Sequence, residues 1–337
     1  MPRLVYVTEP IHDEALTLLG AAADLVVGFG PEGRELESVL PKAHAILVRT
    51  VPIPAEAIDR ARSLRVVARH GVGVDSIAVD AATRRGIPVL ITPRANLRSV
   101  AEQVFALALA VGRNTIRSDR LVRDGHFTDR DKMVGRELFG TRLGVIGFGR
   151  IGKEVTRVAT GGFGMDVLTY DPYLSPDEIR AGGAQPVGSL TDLLGACELV
   201  TVHVPLNSET YGLLGPRELG CMPPGSVLIQ ASRGGVVDES ALVDALREGQ
   251  LAGAGIDVFE QEPPPEDHPF FSFEQVVLTP HTAAHTREAM RRMAVDAASG
   301  IIDVLDGADV TRKPDSAAWE AVNPDCASAA KRDEKRS

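Results

Sequence analysis

The sequence predicts an α/β protein built from two doubly wound, mainly parallel-sheet units. Three observations lead there. Short, near-continuous runs of Val, Ile, Leu and Ala alternate with segments of helical periodicity, the pattern of a parallel sheet covered on both faces. The alternation breaks off near Thr92 and restarts at Leu143. The 337 residues are more than a single hydrophobic core ordinarily serves.

In the first unit, residues 4–10 read as a strand and residues 12–20 as a helix ending at Gly20. Ala45 to Val48 is a second strand, followed at once by Arg49. Residues 64–70 form a third, with Arg69 near its end. Residues 79–86 form a helix stopped by Gly86, and residues 87–92 a fourth strand. Val100 to Arg113 is apolar nearly all round, which predicts a buried helix. Asn114 to Thr141 is polar and predicts irregular or helical connecting structure. In the second unit, strands are expected at 143–149, 167–171, 199–205, 226–232, 253–259 and 276–281, separated by helices at 150–159, 189–196 and 239–249. The cluster Gly161-Gly-Phe-Gly164 reads as the turn after the first of these helices. Residues 286–307 repeat their apolar positions at helical spacing. Packing of that helix back on the first unit would make the first domain discontinuous. The tail beyond Gly307 is polar, and residues 326–337 are expected to be disordered.

Charge and cysteine usage narrow the function. The net charge is -10, and no Lys/Arg tract is long enough for a nucleic-acid or polybasic membrane patch. Cys197, Cys221 and Cys326 form no disulfide framework, which fits a reducing compartment. The N-terminal apolar run is short for a signal peptide, and no stretch reaches the roughly 18 apolar residues of a membrane span. Cytoplasmic residence is the expectation.

A dinucleotide site is written at Gly147-Phe-Gly-Arg-Ile-Gly152. The motif follows a strand and opens a helix, the context that gives it meaning. Gly147 permits the tight turn, Gly149 lets backbone approach a pyrophosphate, and Gly152 lets helix and strand pack closely. The helix N-terminus offers free N–H groups to phosphates. Asp171 ends the next strand, where a carboxylate accepts from ribose hydroxyls and repels a 2′-phosphate, favouring NAD over NADP.

Three further strand ends carry reactive residue types. Arg233 follows residues 226–232 and offers a planar donor fork suited to a carboxylate; alone it reads slightly more readily as a surface ion pair. Asp257 ends the following strand, with Glu262 just past it before three prolines. His281 follows the last strand and Pro280. Strand ends of one doubly wound sheet converge on a common crevice. His281 and His285 are four apart, but Thr282 stands where a zinc-binding HExxH helix needs Glu. No metal is expected.

GFGRIG with Asp171, then HVPL, ASRGGVVDE, DVFEQEP and TPHTAA, in this order, resemble the D-isomer-specific 2-hydroxyacid dehydrogenase family over roughly residues 3 to 325. Upstream, ARHGVGVDSIAVDAA and ANLRSVAEQ are similar to that family's substrate domain, in its phosphoglycerate dehydrogenase and hydroxypyruvate reductase branches. The resemblance implies two Rossmann-like domains with a cleft between them. Residues 102–285 would be the NAD-binding domain, inserted into a substrate domain made of 1–101 and 286–325. It also implies a homodimer, and hydride transfer between NAD and a small D-2-hydroxy acid or its 2-oxo acid.

Carried over by position, Arg233 would hold the substrate carboxylate and polarise its carbonyl. His281 would be the acid and base, lying also beside the cofactor, and Glu262 would orient its ring. Arg150, Ile151, His203, Val204, Pro205, Thr210, Ala231, Ser232 and Asp257 would join Gly147, Gly149, Gly152 and Asp171 around the cofactor. Val72, Gly73 and Asn96 would meet the substrate, with Arg49 and Arg69 available to a phosphate. The chain departs from the family at Gln230, where Asn is common, and at Ser76 and Ala78, where Asn and Asp are common. Glu262 argues against formate dehydrogenase, which pairs its His with Gln. His70-Gly71-Val72-Gly73 lacks the Lys typical of phosphite dehydrogenase. The other functional class is an NAD(H)-sensing binding protein resembling the family's co-repressors, separated from an enzyme by measurable turnover.

Overall fold

The computed structural model describes residues 3–310 and 319–323; the tail at 326–337, expected to be disordered, lies outside them. The chain divides into two compact units. The first gathers residues up to Asn96 and from His285 onward, and the second is Leu97–Ala284. The first unit holds β1 (Leu4–Val7), β2 (Asp24–Val27), β3 (Ala45–Val48), β4 (Val66–Arg69) and β5 (Val89–Ile91). The second holds β6 (Arg142–Ile146), β7 (Asp166–Tyr170), β8 (Gln185–Pro186), β9 (Leu199–Val202), β10 (Ser226–Gln230), β11 (Leu251–Ile256) and β12 (Val276–Leu278). A last strand, β13 (Glu320–Ala321), returns to the first unit.

The first sheet runs β13-β5-β4-β3-β1-β2. It is parallel except for β13, which pairs antiparallel to β5. The chain moves from β1 outward to β2 and then back across to β3, so β1 and β3 flank the topological switch point. The helix Arg287–Leu305 lays Ala294, Ala297, Ala298 and Ile301 against Val5, Leu47, Ala68 and Leu90 of this sheet. Alanine at three of these positions lets helix and sheet approach closely. The second sheet runs β12-β11-β10-β9-β6-β7-β8, parallel throughout, with its switch point between β6 and β9. Each apolar strand expected from the sequence is observed, most of them ending sooner than expected, and β2, β8 and β13 come in addition. Their faces are covered on both sides, so nearly every residue of β3, β9 and β10 is buried.

Several expectations need correction. Gly20 does not end its helix, which spans Asp13–Ala22 and is closed at Ala23. The sequence reading passed over β2, a half-buried edge strand entered directly from that helix with no turn residue to announce it. The expected all-round burial near residue 100 belongs to only part of the helix Leu97–Gly112, because Glu102 and Ala106 are exposed. Gly161 and Gly162 lie inside the helix Arg150–Phe163, and only Gly164 makes the left-handed turn after it. Among the described residues, no helix is long and apolar enough to cross a membrane.

Candidate active site

The glycine motif sits at the carboxyl end of β6. Gly147 is left-handed at φ +88°, and a Cβ there would lie 2.7 Å from the His203 carbonyl oxygen. A Cβ on Gly152 would meet the Gly147 oxygen at 2.2 Å and Val145 Cγ1 at 3.3 Å. Both glycines are therefore demanded by the turn and by the close approach of helix to strand. Gly149 differs. It is the N-cap of the helix Arg150–Phe163, and among the described residues no side chain caps that helix and a Cβ on Gly149 would meet nothing within 4 Å. The protein's own packing does not require this glycine. A helix N-terminus whose approach a side chain would obstruct is what a pyrophosphate needs. The residues present thus fit a dinucleotide.

Asp171 follows β7. Its Oδ2 accepts from the Phe148 N–H at 2.8 Å and its Oδ1 from the Tyr173 N–H at 3.0 Å. The carboxylate ties the glycine turn to the neighbouring strand end. Arg150 is exposed and Ile151 half-buried at the start of the helix.

Past β11 and β12 the chain builds a hydrogen-bonded pair. His281 Nδ1 lies 2.7 Å from Glu262 Oε2, and Glu262 Oε1 accepts from the Phe259 N–H at 3.1 Å. Burial pushes the Glu262 carboxyl up. The His281 ring and the Phe259 N–H, together with the Arg233 charge, outweigh burial and hold it below the usual carboxylate range. With Glu262 accepting at Nδ1, the ring's Nε2 is the atom left to exchange a proton. His281 has φ 52°, left-handed for a residue with a Cβ, which costs of order 1–3 kcal/mol.

Asp257 imposes that conformation. Its carbonyl takes the His281 N–H at 2.7 Å, and its carboxylate takes Thr279 Oγ, Thr282 N–H and Ala283 N–H. Asp257 is completely buried, and its carboxylate holds the loop that carries His281. A pocket of about 360 Å³ opens beside the pair, walled mainly by Phe259, Pro263, Phe271, Leu278 and Pro280.

Arg233 follows β10, half-buried. Gln230 brackets its turn: the side-chain amide donates to the Arg233 carbonyl at 2.8 Å, while its oxygen accepts from Ser232 Oγ at 2.9 Å. Ala231 and Ser232 are buried within this turn. The Glu262 carboxyl lies within reach of the Arg233 charge, which helps to lower it.

After β9, the His203 ring meets Thr201 Oγ through Nε2 at 3.0 Å. Burial pushes this ring down to about 4, although the whole residue is only half-buried. Its Nδ1 is sealed from solvent without a partner among the described residues. Val204 is half-buried and Pro205 exposed. The Thr210 hydroxyl closes the next loop onto the Pro205 carbonyl at 2.6 Å.

The first unit gathers its own set at the carboxyl edge of its sheet. Arg49 Nη1 donates to the Pro10 carbonyl at 2.8 Å. Arg69 folds over the glycine loop, donating to the Gly73 carbonyl at 2.8 Å and the His70 carbonyl at 3.2 Å. Val72 and Gly73 are half-buried in that loop. His70 Nε2 meets the Met290 carbonyl at 3.1 Å. Burial, with Arg49 and Arg69 nearby, pushes this ring down to about 4. Asn96, past β5, is buried, and its Oδ1 has no partner among the described residues. The sequence reading gave no role to Gln230. The available signal was position, a polar side chain at a strand end.

Comparison with known proteins adds a family. The model of the D-isomer specific 2-hydroxyacid dehydrogenase NAD binding domain matches residues 105–283. The chain is 41% identical over 310 residues to the D-3-phosphoglycerate dehydrogenase of Archaeoglobus fulgidus, covering 91% of this chain and 58% of that protein. It thus spans little more than half the length of that relative. It is 40% identical over 305 residues to the glyoxylate reductase of Korarchaeum cryptofilum, covering 88% of this chain and 91% of that one. Among solved structures, the TT0316 protein from Thermus thermophilus is similar with a TM-score of 0.82 at 35% identity, covering 95% of this chain and 99% of that one.

Proposed function

Since the chain belongs to the D-isomer-specific 2-hydroxyacid dehydrogenase family, with residues 105–283 as its NAD-binding domain, we propose that it interconverts a small D-2-hydroxy acid and its 2-oxo acid. The observation that carries the reading is the 2.7 Å His281–Glu262 pair under the charge of Arg233. An acid–base group, its orienting carboxylate and a cation for the substrate stand together at the strand ends of one dinucleotide-binding sheet.

In this reading residues 1–101 and 286–325 form the substrate domain and 102–285 the cofactor domain. Gly147, Gly149, Gly152 and the helix N-terminus hold the pyrophosphate, and Asp171 the adenosine ribose. His203, Val204, Pro205, Thr210, Ala231 and Ser232 line the remainder of the cofactor site, and Asp257 acts there through the loop it holds. NAD, when bound, supplies or accepts the hydride. Arg233 binds the substrate carboxylate and stabilises the developing alkoxide. Glu262 fixes the ring so that Nε2 of His281 gives the proton in reduction and takes it in oxidation. Val72, Gly73 and Asn96 are assigned to the substrate in the same reading. Homodimerisation belongs to the same reading, supported by the exposed apolar side chains Ile116, Val122, Phe127, Val134 and Phe139 within one stretch of chain. So does residence in the cytoplasm.

The test is NADH consumption by the purified protein with glyoxylate, hydroxypyruvate, phosphohydroxypyruvate and pyruvate, alongside NADH binding by fluorescence. Turnover of at least one acid is expected. Tight NADH binding with no turnover of any would overturn the enzyme in favour of a sensor.

A further inference from the structure

The loop that carries Glu262 is tied down by a pair of side chains that the chemistry above does not use. His268 is only 8% exposed. Its Nδ1 accepts from the Phe270 N–H at 3.3 Å. Nε2 therefore carries the proton of the neutral ring, and it donates to Glu239 Oε2 at 3.0 Å. The other oxygen of Glu239 accepts from the Glu260 N–H at 2.8 Å. Glu239 is the first residue of the helix Glu239–Arg247. The Asp238 side chain caps that helix at the Ala241 N–H, and the helix buries Ala241, Leu242, Val243, Ala245 and Leu246. The carboxylate is thus mounted on a packed, capped support and reaches the loop twice, at Glu260 and at His268.

What the pair pins is the Phe259–Glu260 peptide. That peptide lies against Gly234, the neighbour of Arg233: a Cβ on Gly234 would stand 1.8 Å from the Phe259 oxygen and 2.7 Å from the Glu260 nitrogen. The Phe259 N–H holds Glu262 Oε1 at 3.1 Å, and Glu262 Oε2 meets His281 Nδ1 at 2.7 Å. The His268 ring also packs edge-on to Phe259, with centroids 5.6 Å apart and planes at 82°, and lies 5.7 Å from Phe271. Both aromatic rings wall the pocket beside His281. We propose that His268 and Glu239 are positioning residues of the oxidoreductase site, fixing the peptide on which the Arg233 turn and the Glu262 carboxylate both bear. The inference rests on the oxidoreductase reading. Neither residue acts on the substrate itself; each works through Glu262, whose hold on the imidazole depends on where Phe259 stands.

His268→Leu removes both bonds of the ring, whereas His268→Gln keeps a donor for Glu239. The Leu variant is expected to lose roughly tenfold in kcat, with NADH affinity within about twofold of wild type. The Gln variant should regain most of the rate. Glu262 supplies a readout that a purely structural role leaves unmoved. Its carboxyl lies below the usual range partly through the Phe259 N–H. Carbon-13 NMR of the full chain should show it titrating at higher pH in the Leu variant and near wild type in the Gln variant. Glu239→Gln keeps an acceptor for the Glu260 N–H but sets an amide against the His268 N–H. It is the milder change and should move both readings in the same direction by less. A lowered melting temperature with unchanged kcat and an unchanged Glu262 titration would overturn the proposal, leaving the pair to the fold alone. Were no acid reduced by the wild type, the oxidoreductase reading would fail while the titration still decides. An upward shift of Glu262 then supports the positioning, and none sinks it.

Discussion

Asp257→Asn perturbs the site without touching Arg233, Glu262 or His281. In the native protein, Oδ1 takes Thr279 Oγ at 2.5 Å and Thr282 N–H at 2.9 Å, while Oδ2 takes Ala283 N–H at 2.9 Å. Asparagine supplies one acceptor oxygen. Its better orientation keeps the first two donors and sets an NH2 against the Ala283 N–H, which is buried. A charge-assisted bond is lost and a buried donor is left opposed, so the cost is about 2–4 kcal/mol. For a unit of this size that lowers Tm by about 5–15 °C. The same loop holds His281 left-handed, and a displacement of ~1 Å at a reacting group costs on the order of 10²-fold in rate. Thermal unfolding followed by circular dichroism, with steady-state kinetics, reads both effects. kcat should fall much more than NADH affinity. A Tm within about 1 °C of wild type together with unchanged kcat would refute the claim that this carboxylate holds the loop.

Three further outcomes are expected. His281→Ala should lower turnover by roughly 10²–10⁴ while NADH still quenches fluorescence with near-native affinity; loss of NADH binding would show the ring to be a cofactor ligand first. Asp171→Ala should weaken both coenzymes by loosening the glycine turn and weaken NADH roughly tenfold more than NADPH, whereas equal losses with both nucleotides would remove the carboxylate from the ribose. His70 and His203 are pushed to about 4, so between pH 6.5 and 4 the unfolded chain binds protons that the folded rings refuse. Stability should therefore fall as pH drops through that window, by up to about 1.4 kcal/mol per pH unit for each ring. Denaturant titrations across the range would expose the error if the slope were flat.

Much of the architecture was legible because a parallel strand covered on both faces must be apolar along its whole length. Val66–Arg69 and Leu199–Val202 announce themselves in that way. Asp24–Val27 did not, since an edge strand is half-wet and this one follows its helix without a glycine. Gly161 and Gly162 misled for a related reason. Glycine is tolerated inside an exposed helix turn, and only the left-handed Gly164 ends it. At the site, Arg233, Glu262 and His281 were visible as reactive residue types at strand ends. The service of Asp257 to the loop and of Gln230 to the Arg233 turn was not, because a hydrogen bond across strands leaves no trace in spacing. His268 and Glu239 were hidden for the same cause, standing 29 residues apart in the chain.

The two bonds of Asp171 have a consequence for anyone wishing to retune coenzyme preference. Such work commonly begins by replacing the acid at the end of the second strand. In this protein the acid is also a clasp, joining the Phe148 and Tyr173 amides across β6 and β7. A replacement chosen only to admit a 2′-phosphate would unfasten the glycine turn and weaken both coenzymes. One that keeps a short acceptor for the Phe148 N–H, with the new cation supplied from Pro172 or Tyr173, separates the two duties.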